Sequence, residues 1–216
     1  MEKFSLIITA GGTSSRYGNT NKLLEKIKDK TVIEETVNKF INNDYINQII
    51  ISANISIINE LKMLFKNNKT EIIQGGSTRQ KSVYNALRRV KNDYVLIHDG
   101  ARPLITKEVI DETIKAVIKF GAVSVMTKTT DTIKEVDESG KIIRTIDRSK
   151  LYNTQTPQGF RTDLIKSAHE KLIDGNYTDD SSMLEALNIP VYIVNSPSTN
   201  IKITVKNDLD FAKLYI

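Results

Sequence analysis

Strand-like and helix-like segments alternate along most of this chain, and that order limits its possible folds more than any other feature. The strand-like segments are short apolar runs rich in β-branched residues, and the segments between them repeat apolar residues at helical spacing. The predicted strands are FSLIIT (4–9), INQIIISA (46–53), TEIIQGG (70–76), DYVLIHDG (93–100), AVSVMT (122–127) and VYIVNS (191–196). Parallel strands need long crossover connections, which helices usually provide. We therefore predict a three-layer α/β/α, Rossmann-like fold with a mostly parallel sheet.

The predicted helices fill the intervals between these strands. They cover 31–42, 56–67, 80–90 and 106–121, begin at about 162 and 206, and include one within 179–188. Thr106 is a suitable N-cap, and Gly121 is a suitable residue to end the same helix. Ligands of such sheets bind beyond the carboxyl ends of the strands. Motifs at those strand ends are therefore the candidates for chemistry.

The alternation of strands and helices is interrupted at Thr132. The segment TIKEVDESGKIIRTIDR alternates apolar and polar residues, turns at Glu138-Ser139-Gly140 and alternates again, which predicts a β-hairpin. An isolated two-stranded hairpin is marginally stable in water. We therefore expect this arm, at about 132–150, to pack on something else, such as a second subunit. With no linker-like or repeated segment in the sequence, we expect 1–216 to form one domain.

The charge and composition narrow the possible partners. The formal net charge is +5, which suits an anionic partner but also follows from a composition rich in lysine throughout. Aromatic residues make up only 6% of the chain, and a binder of single-stranded nucleic acid needs aromatic stacking surfaces. We therefore expect no nucleic-acid partner. The absence of cysteine and the presence of only two histidines leave little material for a zinc site.

Membrane attachment and secretion are not expected from the sequence. Its apolar runs are shorter than the ~20 residues that span a bilayer. The opening MEKFSLIITAGG lacks the apolar core and cleavage site of a secretory signal. We expect a cytoplasmic location.

The loop after the first strand has the composition of a phosphate-binding segment. The stretch IITAGGTSSRYGNTNK (7–22) combines two glycines, several hydroxyl groups, Arg16 and Lys22. Glycines allow a ligand close to the backbone, successive N–H groups can hold an anion, and both cations complement phosphate. The spacing matches neither the Walker loop nor the dinucleotide fingerprint. A glycine-rich turn with solvated cations is the alternative interpretation.

The loop AGGTSSRYGNTNK resembles the signature loop of nucleotidyltransferases that activate sugars and alcohols as nucleotide diphosphates. Four further segments, in the expected order, resemble the 2-C-methyl-D-erythritol 4-phosphate cytidylyltransferase family. They are GGSTRQKSV (75–83), IHDGARP (97–103), DRSKLYNTQTPQGF (147–160) and TDDSSMLEAL with NIKIT (178–204). The resemblance covers almost the whole chain. It implies an enzyme of the non-mevalonate isoprenoid pathway that condenses CTP with 2-C-methyl-D-erythritol 4-phosphate and releases pyrophosphate.

The resemblance also implies roles for individual residues. In the family, two cations stabilise charge on the CTP phosphates and two others hold the incoming phosphate; here they would be Arg16, Lys22, Arg148 and Lys202. Nucleotide binding is implied for Ala10, Gly11, Gly12, Gly76, Ser77, Ser82 and Asp99. Substrate binding is implied for Arg102, Thr132, Arg148, Thr156 and Thr178.

A magnesium ion and a second subunit are further expectations from the resemblance. Mg²⁺ usually enters with nucleotide phosphates and has few protein ligands. We therefore assign no protein metal ligand, although Asp99 is the first candidate. The family forms homodimers whose arms embrace the neighbouring subunit, so Arg148 and Thr132 would complete the partner's site.

Structural interpretations remain open for several of these residues. Asp99 and Arg102 suit an internal ion pair, Ser77 or Thr78 suits a helix N-cap, and Thr178 suits another. Arg148 suits a solvated position on the hairpin equally well. His98 faces away from Asp99 on its strand, and we interpret it as structural.

The first loop differs from the family's usual pattern. The chain has Ala10-Gly11-Gly12 where the family commonly has Ala-Ala-Gly. The step from Arg16 to Lys22 is one residue shorter, and Asn21 replaces a proline. The run NTNKLLEKI resembles molybdenum-cofactor guanylyltransferases, but that family gives no reason for IHDGARP or NIKIT.

Two alternative functions remain at this stage. Ribitol 5-phosphate cytidylyltransferase performs similar chemistry on a different polyol phosphate. A basic α/β module that binds nucleic acid is the more remote alternative.

Overall fold

The computed structural model describes residues 2–12, 14, 17–18 and 20–216. The strands in these ranges are β1 (Phe4–Ala10), β2 (Lys26–Ile27), β3 (Lys30–Thr31), β4 (Ile46–Ala53), β5 (Thr70–Gln74), β6 (Tyr94–Asp99), β7 (Ala122–Lys128), β8 (Ile133–Val136), β9 (Ile142–Ile146), β10 (Tyr152–Arg161) and β11 (Tyr192–Asn195). Seven of them form the central sheet in the order β11-β7-β10-β6-β1-β4-β5. The predicted α/β fold is confirmed.

Strand β10 is the antiparallel member of this sheet. It pairs antiparallel with β6 and β7, whereas the β1–β4, β1–β6, β4–β5 and β7–β11 pairs are parallel. No element was predicted for 151–160, and its polar centre and Pro157 are unusual for a central strand. Pairing with β7 is interrupted between Thr154 and Gln158, and Pro157 lies in that interruption, where a missing N–H is tolerated.

Helices cover both faces of the sheet. They are α1 (Val32–Ile41), α2 (Ile58–Leu64), α3 (Arg79–Leu87), α4 (Lys107–Phe120), α5 (Thr162–Lys171), α6 (Ser181–Ala186) and α7 (Lys206–Lys213). Leu6 and Ile8 of β1 pack in the apolar cluster that includes α1, α2, α4 and α7. Ile7 points the other way and packs with α3, α5 and α6. The alternation of side chains along a strand therefore produces two cores from one continuous apolar run.

The helix ends follow local capping rules. Thr31 and Glu34 form a capping box at the start of α1. Thr106 accepts a hydrogen bond from the Val109 N–H at 3.4 Å, and Gly121 ends α4 with a left-handed φ of 81°. Both predicted ends of α4 are confirmed. None of the helices in the described ranges is both long and apolar enough to cross a membrane.

The predicted hairpin is present as the pair β8–β9, which forms a two-stranded sheet of its own. The Asp137 carboxylate closes its turn by accepting N–H groups from Ser139 and Lys141, each at 3.0 Å. Gly140 has the positive φ, 82°, that this turn requires. The apolar side chains of Val136, Ile142 and Ile143 are all more than half exposed, at 53%, 58% and 57%. This arm (132–150) therefore presents apolar surface that its own hairpin leaves uncovered.

Candidate active site

A cavity of about 300 Å³ lies beyond the carboxyl end of β1. Gly11 and Gly12 follow that strand, and Asp99 ends the neighbouring β6. All seven residues for which nucleotide binding was predicted line this cavity: Ala10, Gly11, Gly12, Gly76, Ser77, Ser82 and Asp99. Lys22 and Lys202 line it as well. Two of the four predicted phosphate-binding cations thus share one space with the glycine-rich backbone.

This first cavity is called the nucleotide cavity below, because the predicted nucleotide-binding residues line it. Ser82 fixes the shape of the GGST loop (75–78) on one side of it. Its hydroxyl accepts the Gly76 N–H at 3.0 Å and donates to the Thr78 carbonyl at 2.8 Å. A Cβ atom on Gly76 would lie 2.5 Å from the Lys81 Cβ, and one on Gly11 would lie 3.0 Å from the Ser82 hydroxyl. Side-chain atoms of α3 therefore pack directly against the cavity wall at these two glycines. Thr78 is the N-cap of α3, as one of the alternative interpretations expected.

Lys22 lines the nucleotide cavity although the loop before it is one residue shorter than is usual in the family that the sequence resembles. The Lys22 backbone N–H donates to the Ser14 hydroxyl at 3.4 Å, and Asn21 accepts the Leu23 N–H at 3.0 Å. Leu23 is buried, which anchors the chain just after the lysine. Arg16, the other predicted cation of this loop, lies outside the described residues.

A second cavity, of about 440 Å³, adjoins the first. Arg102, Thr156 and Thr178, all predicted to bind the second substrate, line it. The two cavities share three lining residues, namely Arg79, Asp99 and Lys202. The predicted site residues of the second cavity therefore meet those of the first at a common charged wall.

The Asp99 carboxylate is the centre of that wall. Its oxygens lie 3.0 Å from Lys202 Nζ, 3.3 Å from Arg102 Nε and 3.9 Å from Arg79 Nε. Burial alone would raise the pKa of Asp99, but the charges of Lys202, Arg79 and Arg102 together lower it well below its ordinary value. Asp99 is therefore a carboxylate throughout the physiological range. The Asp99–Arg102 pair that we considered as an alternative is present, in the same site.

The last loop places Lys202 against Asp99 through backbone contacts. The Ile203 N–H donates to the Ala101 carbonyl at 2.9 Å, and Arg102 Nη1 donates to the Asn200 carbonyl at 2.8 Å. Ile203 is fully buried, so its neighbour Lys202 is directed outwards. The Lys202 side chain remains 40% exposed. It can therefore follow a ligand as well as the carboxylate.

His98 lies beneath this wall as a structural residue. Its Nε2 is 3.2 Å from the Arg102 carbonyl, which can only accept, so Nε2 carries the proton. Its Nδ1 then accepts from the Thr156 hydroxyl at 3.0 Å, and that hydroxyl accepts the Asp99 N–H, also at 3.0 Å. Burial lowers the pKa of His98 to about 4, which keeps the ring neutral. The structural interpretation of His98 is confirmed, and Thr156 is tied to it.

Arg79, together with Asp179 and Asp180 of the TDDSS segment (178–182), had no predicted role. Arg79 Nη2 lies 2.8 Å from Asp180 Oδ2, and Asp180 is 1% exposed. Gln158 holds the segment by accepting the Asp180 N–H at 3.0 Å and donating to Asp179 at 2.6 Å. One sequence signal was available, because an arginine in the first turn of a helix opposes the helix dipole. Thr178 does not cap α6, since that helix begins after Asp180.

Thr132 and Arg148 belong to the arm. Neither is among the described residues that line the two cavities of this chain. Thr132 is exposed, and Arg148 donates from its guanidinium to the Thr130 carbonyl. The structure of one chain thus brings together Lys22, Asp99, Arg102, Thr156, Thr178 and Lys202 but leaves these two arm residues outside.

Sequence comparison gives a consistent match over the whole chain. The family model described as IspD, 2-C-methyl-D-erythritol 4-phosphate cytidylyltransferase, matches residues 4–216. A relative of that name from Dictyoglomus thermophilum is 41% identical over 219 residues, covering 97% of this chain and 94% of the relative. Another from Prochlorococcus marinus is 42% identical over 217 residues, covering 98% of this chain and 97% of the relative.

Solved structures give the same result. The 4-diphosphocytidyl-2C-methyl-D-erythritol synthase of Anaerococcus prevotii superposes with a TM-score of 0.87 at 31% identity, covering 99% of this chain and 98% of that one. The 2-C-methyl-D-erythritol 4-phosphate cytidylyltransferase of Francisella tularensis gives a TM-score of 0.86 at 28% identity, with complete coverage of both chains.

Proposed function

The chain belongs to the 2-C-methyl-D-erythritol 4-phosphate cytidylyltransferase family, and from this premise we propose how its two cavities perform the reaction. The enzyme is a CTP-dependent cytidylyltransferase of the non-mevalonate isoprenoid pathway. It condenses CTP with 2-C-methyl-D-erythritol 4-phosphate and releases pyrophosphate. The observation that carries the proposal is the common wall of Arg79, Asp99 and Lys202 between a backbone-lined cavity and a polar one.

The chemical step needs positioning and charge more than proton transfer. A phosphate monoester is largely a dianion at pH 7, since its second pKa is about 6. One of its oxygens attacks the α-phosphorus of CTP, a new P–O bond forms, and the bond from the α-phosphorus to the oxygen shared with the β-phosphate breaks. Pyrophosphate leaves with that electron pair. The site therefore needs cations that bring two anions together and stabilise the transition state.

The nucleotide cavity suits CTP. The GGST loop offers backbone groups that suit the polar edge of a pyrimidine, and Ser82 holds that loop in place. Asp99 would accept a hydrogen bond from a ribose hydroxyl, and Lys22, with Arg16, would face the phosphates. In this arrangement Lys22 and Arg16 stabilise charge that develops on the α-phosphate and on pyrophosphate.

The second cavity suits a small polyol phosphate. Its described lining is rich in hydroxyl, amide and charged groups, including Arg102, Thr156 and Thr178. Lys202 would exchange its contact with Asp99 for an oxygen of the incoming phosphate. Because Lys202 lies on the common wall, that exchange directs the phosphate at the nucleotide.

Mg²⁺ fits this site best as an ion held by the nucleotide. The described residues contain no cluster of three or more His, Cys, Asp or Glu side chains that could hold a metal ion. Asp99 is the one carboxylate among the described residues lining the nucleotide cavity, and three cationic side chains already surround it. Phosphate oxygens and water are the usual ligands of Mg²⁺ at such sites. When bound there, the ion would neutralise charge on the leaving phosphates.

The proposal includes a homodimer in which each arm completes the partner's site. Support comes from the exposed apolar surface of the arm and from the position of Thr132 and Arg148 outside the cavities of their own chain. In the dimer, Arg148 would hold the substrate phosphate together with Lys202 of the other subunit. A cytoplasmic location, where CTP is available, is part of the same proposal.

The experiment is pyrophosphate release with CTP and either 2-C-methyl-D-erythritol 4-phosphate or ribitol 5-phosphate. We expect release with the methylerythritol compound and at least 100-fold lower kcat/KM with ribitol 5-phosphate, since a polar site discriminates strongly between hydroxyl patterns. Replacing CTP by UTP in the same assay tests whether the GGST loop selects the cytosine base. Release with ribitol 5-phosphate alone would contradict the proposed substrate.

A further inference from the structure

Arg79 lies where the two substrates have to meet. It is the first residue of α3, and it lines both cavities together with Asp99 and Lys202. The reacting phosphates of the two substrates must come together at the boundary of the cavities. A cation on that boundary therefore lies beside the bond that forms.

The position of Arg79 is locally unfavourable and is stabilised from outside its helix. A positive side chain in the first turn opposes the helix dipole. The compensation comes from Asp180, 2.8 Å from Nη2, and from Asp99, 3.9 Å from Nε. Although burial lowers the pKa of Arg79, these carboxylates raise it further, so the guanidinium remains charged.

The guanidinium keeps capacity for a further ligand. It has five N–H donors in a planar fork, and the contact with Asp180 engages Nη2. The 3.9 Å separation from Asp99 is an electrostatic attraction and not a hydrogen bond. The Arg79 side chain is 27% exposed, towards the two cavities that it lines. Such a fork matches the geometry of phosphate oxygens.

Asp180 is itself held from behind by His169. His169 Nε2 is 3.3 Å from Asp180 Oδ1, both side chains are 1% exposed, and Tyr84 stacks on the imidazole with ring centroids 6.0 Å apart. Because a carboxylate only accepts, Nε2 carries the proton of this contact. Burial would raise the pKa of Asp180, but Arg79 and His169 lower it more. The result is a buried chain from α5 through the TDDSS segment to the cavity wall.

We propose that Arg79 contacts the reacting phosphates as a further catalytic cation, and that Asp180 and His169 are positioning residues that hold its guanidinium between the two substrates. This inference rests on the proposed function, because it assumes that two phosphates react at the common wall. Arg79 would be a fourth phosphate-binding cation of the site that does not come from the arm, in addition to Arg16, Lys22 and Lys202. It also gives a role to three side chains that come from α3, α5 and the TDDSS segment, of which Arg79 is distant in sequence from the other two.

The main test replaces Arg79 and Asp180 as a unit, so that Asp180 is not left as an unpaired buried carboxylate, while Asp99 keeps Lys202 and Arg102. Arg79→Met combined with Asp180→Asn should lower kcat about 100-fold, as expected for loss of one transition-state cation. The KM for CTP should change less than about 3-fold, because the contact forms mainly in the transition state. The matched control is Arg161→Met with Asp163→Asn. It removes an exposed Arg–Asp pair at the last residue of β10 and the start of α5, and neither of these described residues lines the two cavities. The control should keep wild-type kcat and KM.

A second pair of variants tests positioning. His169→Gln keeps an amide donor near the place of Nε2, whereas His169→Asn places its amide near Nδ1, away from Asp180. We expect His169→Asn to lower kcat about 10-fold and His169→Gln to lower it clearly less. A role in packing alone would affect both variants alike, since both lose the stacking on Tyr84.

The outcomes separate this inference from the proposed function. If the wild type releases no pyrophosphate with any polyol phosphate, the proposed function fails. If the wild type is active and the Arg79/Asp180 double variant keeps kcat within about 3-fold, the inference is overturned while the function stands. Should the double variant fail to fold, Arg79→Lys decides: it keeps the charge but loses the fork, and wild-type kcat in that variant would overturn the inference.

Discussion

At the scale of single residues, Gly76 shows how the GGST loop depends on the absence of a side chain. A Cβ atom there would lie 2.5 Å from the Lys81 Cβ and 2.8 Å from the Lys81 backbone carbon. We expect Gly76→Ala to lower the free energy of unfolding by about 1–3 kcal/mol through overpacking and to raise the KM for CTP. Urea unfolding and steady-state kinetics measure the two effects.

Gly12→Ala is the matched control in the same cavity. No heavy atom of the described chain lies within 4 Å of a Cβ at this position. Its free energy of unfolding should stay within about 0.5 kcal/mol of the wild type. Equal stability of Gly76→Ala and the wild type would contradict the close packing of the loop against α3.

His98 predicts how stability depends on pH. Its pKa is about 4 in the folded protein and 6.5 in the unfolded chain. The folded state therefore binds fewer protons between these values, and stability falls as the pH is lowered through this window. From pH 7 to pH 4, the wild type should lose about 3 kcal/mol more free energy of unfolding than His98→Gln. Identical pH profiles for the two proteins would contradict a buried, neutral His98.

At the scale of secondary-structure elements, the arm makes a prediction about association. Ile142 is 58% exposed on β9, and we propose that a second subunit covers it. Ile142→Lys should shift the protein from dimer to monomer in sedimentation velocity, while far-UV circular dichroism shows that the monomer remains folded. Met63→Lys, at an apolar position on α2 that is 64% exposed, is the control and should remain dimeric. A wild type that sediments as a monomer would refute the proposed dimer.

The elements that the sequence predicted are those with a local pattern. Hydrophobic periodicity, caps and turn residues predict the arm, the ends of α4 and six strands of the sheet, namely β1, β4, β5, β6, β7 and β11. Strand β10 has no such pattern, since Pro157 interrupts it and its burial depends on two neighbouring strands. The antiparallel direction of β10 depends on its pairing with β6 and β7, so it could not be predicted from the sequence of the strand itself.

The same distinction holds for the site. Residues next to a strand end, such as Gly11 and Asp99, were candidates because the fold gathers strand ends at one edge, and the family resemblance supplied their predicted roles. The Arg79–Asp180–His169 chain joins α3 to α5 and the TDDSS segment, and no local pattern contains it. The position of Lys202 could be proposed only from the family resemblance, and the structure shows the backbone contacts that produce it.

At the scale of the whole molecule, the proposed dimer predicts recovery of activity from two inactive variants. Arg16→Ala and Arg148→Ala should each lose turnover, because both cations act on the reacting phosphates. If the arm acts on the partner's site, a mixed dimer contains one intact site. Statistical subunit exchange should then restore about a quarter of wild-type activity. Exchange confirmed by mass labels without recovery of activity would show that each site is complete within one chain.

The central claim is that the two adjacent cavities bring a phosphate monoester to the α-phosphate of CTP. The most direct measurement follows ³²P from [α-³²P]CTP in the presence of 2-C-methyl-D-erythritol 4-phosphate and Mg²⁺. We expect all transferred label in the cytidine diphosphate alcohol and none in pyrophosphate, whereas label from [γ-³²P]CTP should appear only in pyrophosphate. Label from the γ-position in the alcohol, or release of [³²P]CMP without a cytidylylated alcohol, would contradict the account.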